Sequence, residues 1–466
     1  MLTYSFDNVD KGSYYEYLYS CIKNDISTGV LQPGERLPSK RNFAKNLGIS
    51  TITVENAYGQ LISEGYVYAV PKKGYYVADI TGITKIKPVK STSDIQLPPS
   101  APQYLVDLSA NQTNPENFPF SVWAKLMRQT IAEKSEELMV NSPCGGILLL
   151  REAIAEHLRS FRGMNVDPDQ IVVGAGTEYL YGMLIQLFGK EKTYCVENPG
   201  YTKISRIYKS NSVDCYFADM DEQGITVQGL KKVGADIAHI SPTHHFPTGI
   251  TMPVNRRYEL LAWANEKSGR YIIEDDYDSE FRLNGKPIPS LQSIDVSEKV
   301  IYMNTFSKSL TSTIRISYMV LPVHLINLFY RNMSFYACTV SNFEQYTLAQ
   351  FIKNGYFEKH INRMRLFYAR QRQKVLDCIQ KSSLNNCCKI IENDSGLHFL
   401  LCFDTEMADD ELCGRLAEHK IHLSPLSQYF HDSVAPTKHM FVLNYSNIDL
   451  EKLSDTLEIV FKCLKK

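Results

Sequence analysis

The chain has 466 residues, 44% of them hydrophobic and 22% charged, and a formal net charge of −1. Such a length exceeds one ordinary hydrophobic core, so two or three globular domains are expected rather than a disordered or fibrous chain. No apolar run approaches the roughly 20 residues of a membrane span, and the N-terminus lacks the basic and apolar regions of a secretory signal, so a cytoplasmic location is expected.

Tyr15, Leu18, Tyr19, Ile22 and Ile26 fall at helical spacing and predict a first helix over Tyr14–Ile26. The stretch GVLQPGERLPS then breaks it. Ser39 is placed to cap a second helix over KRNFAKNL, with Gly48 as its stop. A third helix starts near Ser50 and runs to Ser63, with Val54, Ala57, Tyr58, Leu61 and Ile62 on its buried face. Two helices joined by a tight glycine-containing turn form a helix-turn-helix. YVYAVPKKGYYVA reads as a β-hairpin, or wing, about Pro71–Gly74.

The net charge says nothing for or against nucleic acid, so a contact must come from a local patch. Between Pro33 and Gly74, six Lys or Arg oppose three acidic residues. Ser50, Thr51 and Thr53 are small polar groups suited to phosphates and base edges in the major groove. Lys40, Arg41 and Lys45 precede them, and Lys72, Lys73 and Gly74 form the wing tip. A solvated helical hairpin with ordinary surface lysines would share this local pattern. Residues 79–103 are rich in Pro, Ser, Thr and Lys and show no sustained period. They read as a flexible linker between a domain at 1–78 and a second at 104–466.

The second piece alternates strands and helices. Apolar runs at 170–174, 194–198, 236–241, 270–275, 299–304 and 315–322 predict an α/β domain with a mainly parallel sheet, its ligands at the carboxyl ends of the strands. The eleven cysteines lack metal spacing and read as reduced thiols; no metal site is expected. The adjacent His244 and His245 belong to no metal motif.

Chemistry gathers at those strand ends. Gly176 and Thr177 open a helix whose amides can face an anion. IEDDYD supplies Asp275 and Tyr277; TFSKS supplies Thr305, Ser307 and Lys308; Arg315 follows in the next turn. A lysine amine condenses with an aldehyde, an acidic residue keeps a pyridine nitrogen protonated, and an arginine with hydroxyls neutralises a phosphate. Tyr201, just past a strand, can stack on a flat ring. Taken singly, each residue also fits a structural role; their occurrence at successive strand ends carries the reading.

PGERLPSKRNFAKNLGISTITVENAYGQLISEGYVYAVPKKGYYV resembles the GntR-type winged helix, although Thr51 stands where many members place an arginine. From about Val106 onward the chain resembles a fold-type I, class I aminotransferase. The two together are similar to the MocR-type (GabR-like) regulators. That resemblance implies a bacterial DNA-binding homodimer with pyridoxal 5'-phosphate on Lys308. Asp275 would pair with the ring nitrogen, Tyr277 with the phenolic oxygen and Tyr201 with the ring face. Gly176, Thr177, Thr305, Ser307 and Arg315 would hold the phosphate.

The departures lie in the grip on a substrate carboxylate. Phe246 replaces an asparagine before the Pro-Thr-Gly turn, and Val442 stands where a late-strand arginine is expected. Two positions where some members place other arginines are Lys203 and Gln428. The resemblance therefore implies a transcriptional regulator that senses an amine or amino-acid effector through aldimine exchange at Lys308. Two alternatives stay open: a regulator that senses pyridoxal phosphate itself, and an active aminotransferase with a DNA-binding appendage.

Overall fold

A computed structural model of the chain describes residues 2–6, 14–80, 97–99, 102–110, 114–283, 288–391, 396–431 and 439–465. Two compact units emerge, Met1–Ser100 and Ala101–Lys466. Most of the expected linker, residues 81–96 with 100 and 101, lies outside the described residues.

The first unit contains helices Tyr14–Thr28, Lys40–Leu47 and Thr51–Ser63, with strands β1 (Arg36–Leu37), β2 (Val67–Val70) and β3 (Gly74–Val77). The sequence sets the helix ends directly. Ser39 Oγ accepts from the Asn42 amide, and Gly48 closes the second helix in the left-handed region at φ 67°. Ser50 Oγ accepts from the Thr53 amide at 3.0 Å. Leu18, Ile22, Phe43, Val54, Ala57, Tyr58 and Leu61 are all but inaccessible and form one core. Each of the Leu, Ile, Val and Phe side chains among them contributes about 1.5–3 kcal/mol by leaving water.

Ile62, expected on the buried face, is instead 36% exposed. The stripe from Val54 to Leu61 follows the i, i+3, i+4, i+7 pattern, and the next residue turns past its edge. The expected hairpin is a three-stranded sheet of order β1-β3-β2. Its third member has only two residues, too few to show a period.

The second unit opens with β4 (Val106–Asp107). Its main sheet comprises β5 (Ile171–Gly174), β6 (Tyr194–Asn198), β7 (Cys215–Asp221), β8 (Gly224–Ile225), β9 (Ile237–Ile240), β10 (Tyr271–Asp275), β11 (Val300–Thr305) and β12 (Ser317–Val320). Their order is β5-β12-β11-β10-β9-β6-β7-β8. Strands β11, β10, β9, β6 and β7 run parallel. Strand β12 is antiparallel to both its neighbours, with Ser317 opposite Thr305 of β11 and Gly174 of β5. That reversal brings the start of β12 to the edge where β5 and β11 end.

Helices Thr177–Phe188 and Val323–Met333 pack on one apolar cluster, and helices Leu148–Arg162, Asn342–Lys353 and Tyr356–Lys381 on another. A smaller antiparallel sheet follows, built from β13 (Cys388–Ile391), β14 (His398–Phe403), β16 (Ser424–Pro425) and β17 (Met440–Asn444); β15 (Ile421–His422) pairs with β4. Among the described residues no helix is long and apolar enough to cross a membrane.

Candidate functional site

The ends of β6, β10 and β11 and the turn before β12 surround a cleft of about 410 Å³. At one end, Gly176 turns the chain from β5 into the helix that begins at Thr177, with φ +93°. A Cβ there would collide with the Arg315 guanidinium, so glycine is required by space as well as by backbone angle. Arg315 Nη2 donates to Glu178 Oε2 at 3.0 Å, and Lys203 pairs with the other oxygen of the same carboxylate. The two cations hold the Glu178 carboxyl below its ordinary range, Lys203 having the larger effect.

Thr305 caps the short helix that carries Lys308. Its hydroxyl accepts from the Ser307 amide at 3.1 Å and from Ser317 Oγ at 2.8 Å, so it fixes the turn. The Lys308 side chain lines the cleft. Burial pulls its amine down to about 8, with Asp278 opposing the shift.

Asp275 ends β10. Its Oδ2 accepts from the Tyr181 hydroxyl at 2.7 Å, and His239 Nε2 stands 3.5 Å from the same atom. Asp275 Oδ1 is buried with no hydrogen-bond partner among the described residues. An acceptor left so costs about 1–3 kcal/mol, which marks it for a donor brought by a ligand. Tyr277 lies 3.2 Å from His244 Nδ1, which is also 2.8 Å from Asp278 Oδ2. If that nitrogen donates to Asp278 it cannot also accept from Tyr277, and the phenolic proton is left for an acceptor in the cleft. Burial, and then Asp278, push the Tyr277 phenol well above its usual range, so it stays a neutral donor.

The remaining wall is aromatic. Phe246 meets Tyr201 at 5.9 Å and 89° between planes, and Tyr429 at 5.2 Å and 87°. The Gly200 amide donates to the Tyr429 carbonyl at 3.0 Å and ties the two loops together. Glu197 lies deeper. Its Oε2 accepts from the Ser241 amide at 3.0 Å, and burial still pushes its carboxyl up to about 8.

The fold thus brings Thr177, Tyr201, Lys203, Asp275, Tyr277, Thr305, Ser307, Lys308 and Arg315 to one cleft, with Gly176 at its rim. Gln428 does not line it: that residue is exposed, and its neighbour Tyr429 faces inward. Residues 426–429 form a 3₁₀ turn, in which successive side chains point about 120° apart. Sequence reasoning passed over Glu178, Tyr181, Glu197 and His239. Tyr181 follows Thr177 by one helical turn, a spacing that places it on the same face; His239 is a polar residue inside an apolar strand, another available signal.

In the N-terminal unit, Arg41, Lys45, Lys72 and Lys73 are exposed, as are Ser50 and Thr51 at the start of the third helix. Lys40 is not free of partners: its Nζ pairs with Glu55 at 2.5 Å and lies 5.9 Å from the Tyr75 ring centre. Ser50 and Thr53 share a 2.8 Å hydrogen bond. Beside them Ile52, unremarked in the sequence reading, is 69% exposed.

Residues 14–77 match the bacterial regulatory proteins of the gntR family, and residues 104–438 match aminotransferase class I and II. The chain is 36% identical over 449 residues to the uncharacterized HTH-type transcriptional regulator YdeL of Bacillus subtilis (strain 168), covering 96% of each chain. It is 32% identical over 452 residues to the probable rhizopine catabolism regulatory protein MocR of Rhizobium meliloti, covering 93% of this chain and 90% of that one. The multiple substrate aminotransferase (MsAT) of Thermococcus profundus shares the fold at a TM-score of 0.68 and 23% identity, over 78% of this chain and 92% of that one. A DNA-reading head and an aminotransferase fold, each matched separately and matched in the same order in regulators of nearly equal length, place this chain in the MocR-type transcriptional regulators of the GntR family.

Proposed function

We propose that this regulator binds pyridoxal 5'-phosphate in the cleft at Lys308 and uses it to sense a primary amine, whose arrival changes the affinity of the winged helix for its operator. The observation that carries the reading is the buried, unpartnered Asp275 Oδ1 in the same cleft as Lys308. When bound, pyridoxal 5'-phosphate supplies an aldehyde that exchanges between a lysine amine and an incoming amine, beside a pyridine ring that draws electron density. Asp275 would hold the ring nitrogen's proton, with Tyr181 and His239 orienting its carboxylate. Tyr277 would donate to the phenolic oxygen, and Tyr201 would cover the ring. Gly176, Thr177, Ser307 and Arg315 would hold the phosphate at the helix N-terminus, and Thr305 would keep the Lys308 turn in place. An effector acts only through its differential affinity for two conformations of the protein. The linker over 79–103 would connect head and sensor in each half of a homodimer.

A second reading, in which the cofactor is itself the sensed ligand, draws on the Glu178–Arg315 pair. A phosphate at Arg315 must displace a carboxylate, which weakens its hold and suits a site that empties.

The test is an absorbance spectrum of the purified protein and of Lys308→Ala. The intact chain should show a Schiff-base band that an amine shifts, with a parallel change in operator affinity by fluorescence anisotropy. Lys308→Ala should bind the operator but lose the response. A variant that still responds would remove Lys308 from the sensing chemistry.

A further inference from the structure

The cleft is short of positive charge where a ligand carboxylate would lie. Apart from Lys308, the cations lining it among the described residues are Arg315 and Lys203, and Glu178 holds both. Glu178, Glu197 and Asp275 supply three carboxyl groups to the same lining. With the cofactor's phosphate on Arg315, Glu178 remains with Lys203. Glu197, raised to about 8 by burial, is uncharged at neutral pH, and Asp275 is taken by the ring nitrogen, so what a ligand carboxylate lacks is a partner. No cation of this chain among the described lining residues is left to pair with it, and a charge buried without a partner is strongly disfavoured.

The late-strand position expected to carry a gripping arginine is filled differently. Val442 is buried with Leu400 and Leu426 in an apolar cluster, and Phe246 and Tyr429 pack against it. The two departures from the aminotransferase pattern, Phe246 and Val442, are thus one feature. Where that pattern has an amide and a guanidinium, this chain has a continuous apolar patch. Its open side is the box of perpendicular rings formed by Tyr201, Phe246 and Tyr429. Such faces and edges receive an apolar or aromatic group and offer nothing to an anion.

We infer that the effector is a primary amine with an apolar or aromatic tail and no carboxylate, its tail seated among Tyr201, Phe246 and Tyr429. The inference rests on the reading of the cleft as a pyridoxal-phosphate site, and the experiment separates the two. The full-length protein, purified with its cofactor, is titrated with phenethylamine, phenylalanine and phenylalaninamide, and with isoamylamine and leucine. The readouts are the absorbance of the bound cofactor and operator affinity by fluorescence anisotropy.

Each amine should bind at least tenfold tighter than the amino acid of the same tail. Phenylalaninamide, uncharged at the carboxyl position, should follow the amine, which assigns the difference to charge rather than size. Phe246→Ser, which opens the ring box, should weaken phenethylamine at least fivefold. A Lys308-dependent band shifted equally or better by the amino acids, or by no member of the set, overturns the inference and leaves the cofactor reading standing. The absence of any Lys308-dependent band overturns both.

Discussion

Burial alone gives Lys308 a distinctive reactivity. Its amine is pulled down to about 8, against roughly 10.4 for an exposed lysine. The neutral amine is the nucleophile, so reactivity is suppressed below pH 8 and fully developed above it. Cofactor-stripped protein should therefore capture added pyridoxal 5'-phosphate at a rate that rises about tenfold per unit from pH 6 and levels off above 8. Borohydride trapping followed by mass spectrometry of the Lys308 peptide reads this directly, and a midpoint near 10 would mean that the burial is absent in solution. Asp275 was legible in the sequence because it ends an apolar run, and Lys308 and Arg315 because they lie in the Ser/Thr-rich turn that follows another, where α/β sheets place ligands. Glu178 and Glu197 were not. Their partners come from elements far along the chain, such as Lys203 and Arg315 around Glu178, and only the sheet order brings these together.

The elements of the winged helix differ in how plainly their residues announce them. Its helices were legible because Ser39, Gly48 and Ser50 mark their ends in chemistry the backbone itself uses. Strand β1 was not, since two residues carry no alternation, and β7 was not, because it is unevenly buried along its length. Turn phase was also beyond the sequence, as Gln428 and Tyr429 show. The charges of the head are unequal in a way that only the structure reveals. Arg41 and Lys73 are exposed, whereas Lys40 is already paired with Glu55. Each phosphate contact contributes about 0.9 to the slope of log affinity against log salt. Arg41→Ala and Lys73→Ala should each flatten that slope by about 0.9 per head, about 1.8 for a homodimer with both heads engaged, on a duplex from the gene's own upstream region, measured by fluorescence anisotropy. Lys40→Ala should flatten it by clearly less. Equal effects from all three would show that the Lys40–Glu55 pair opens on DNA.

At the scale of the whole molecule, the sensor has surface left to cover. Met139 is 75% exposed and Phe335 78%. Their two loops run side by side: Asn342 Nδ2 donates to the Val140 carbonyl at 2.7 Å, and the Cys338 amide donates to the Ser142 carbonyl. Large apolar side chains gathered on neighbouring loops mark an interaction surface, and the homodimer proposed above would make a second copy of the chain its partner. Such a patch serves both copies when it faces a two-fold axis. Pairing also matters for DNA, because the second head then binds as an intramolecular event at high effective concentration. Met139→Glu with Phe335→Glu should convert the dimer to monomer at low micromolar concentration in analytical ultracentrifugation, with a loss of at least a hundredfold in operator affinity. The same double variant should leave single-head, salt-sensitive binding to nonspecific duplex unchanged, since no basic residue of the head is touched. A dimer that survives both charges would place the interface on another face, and a wild-type chain that sediments as a monomer would remove the two-headed arrangement itself.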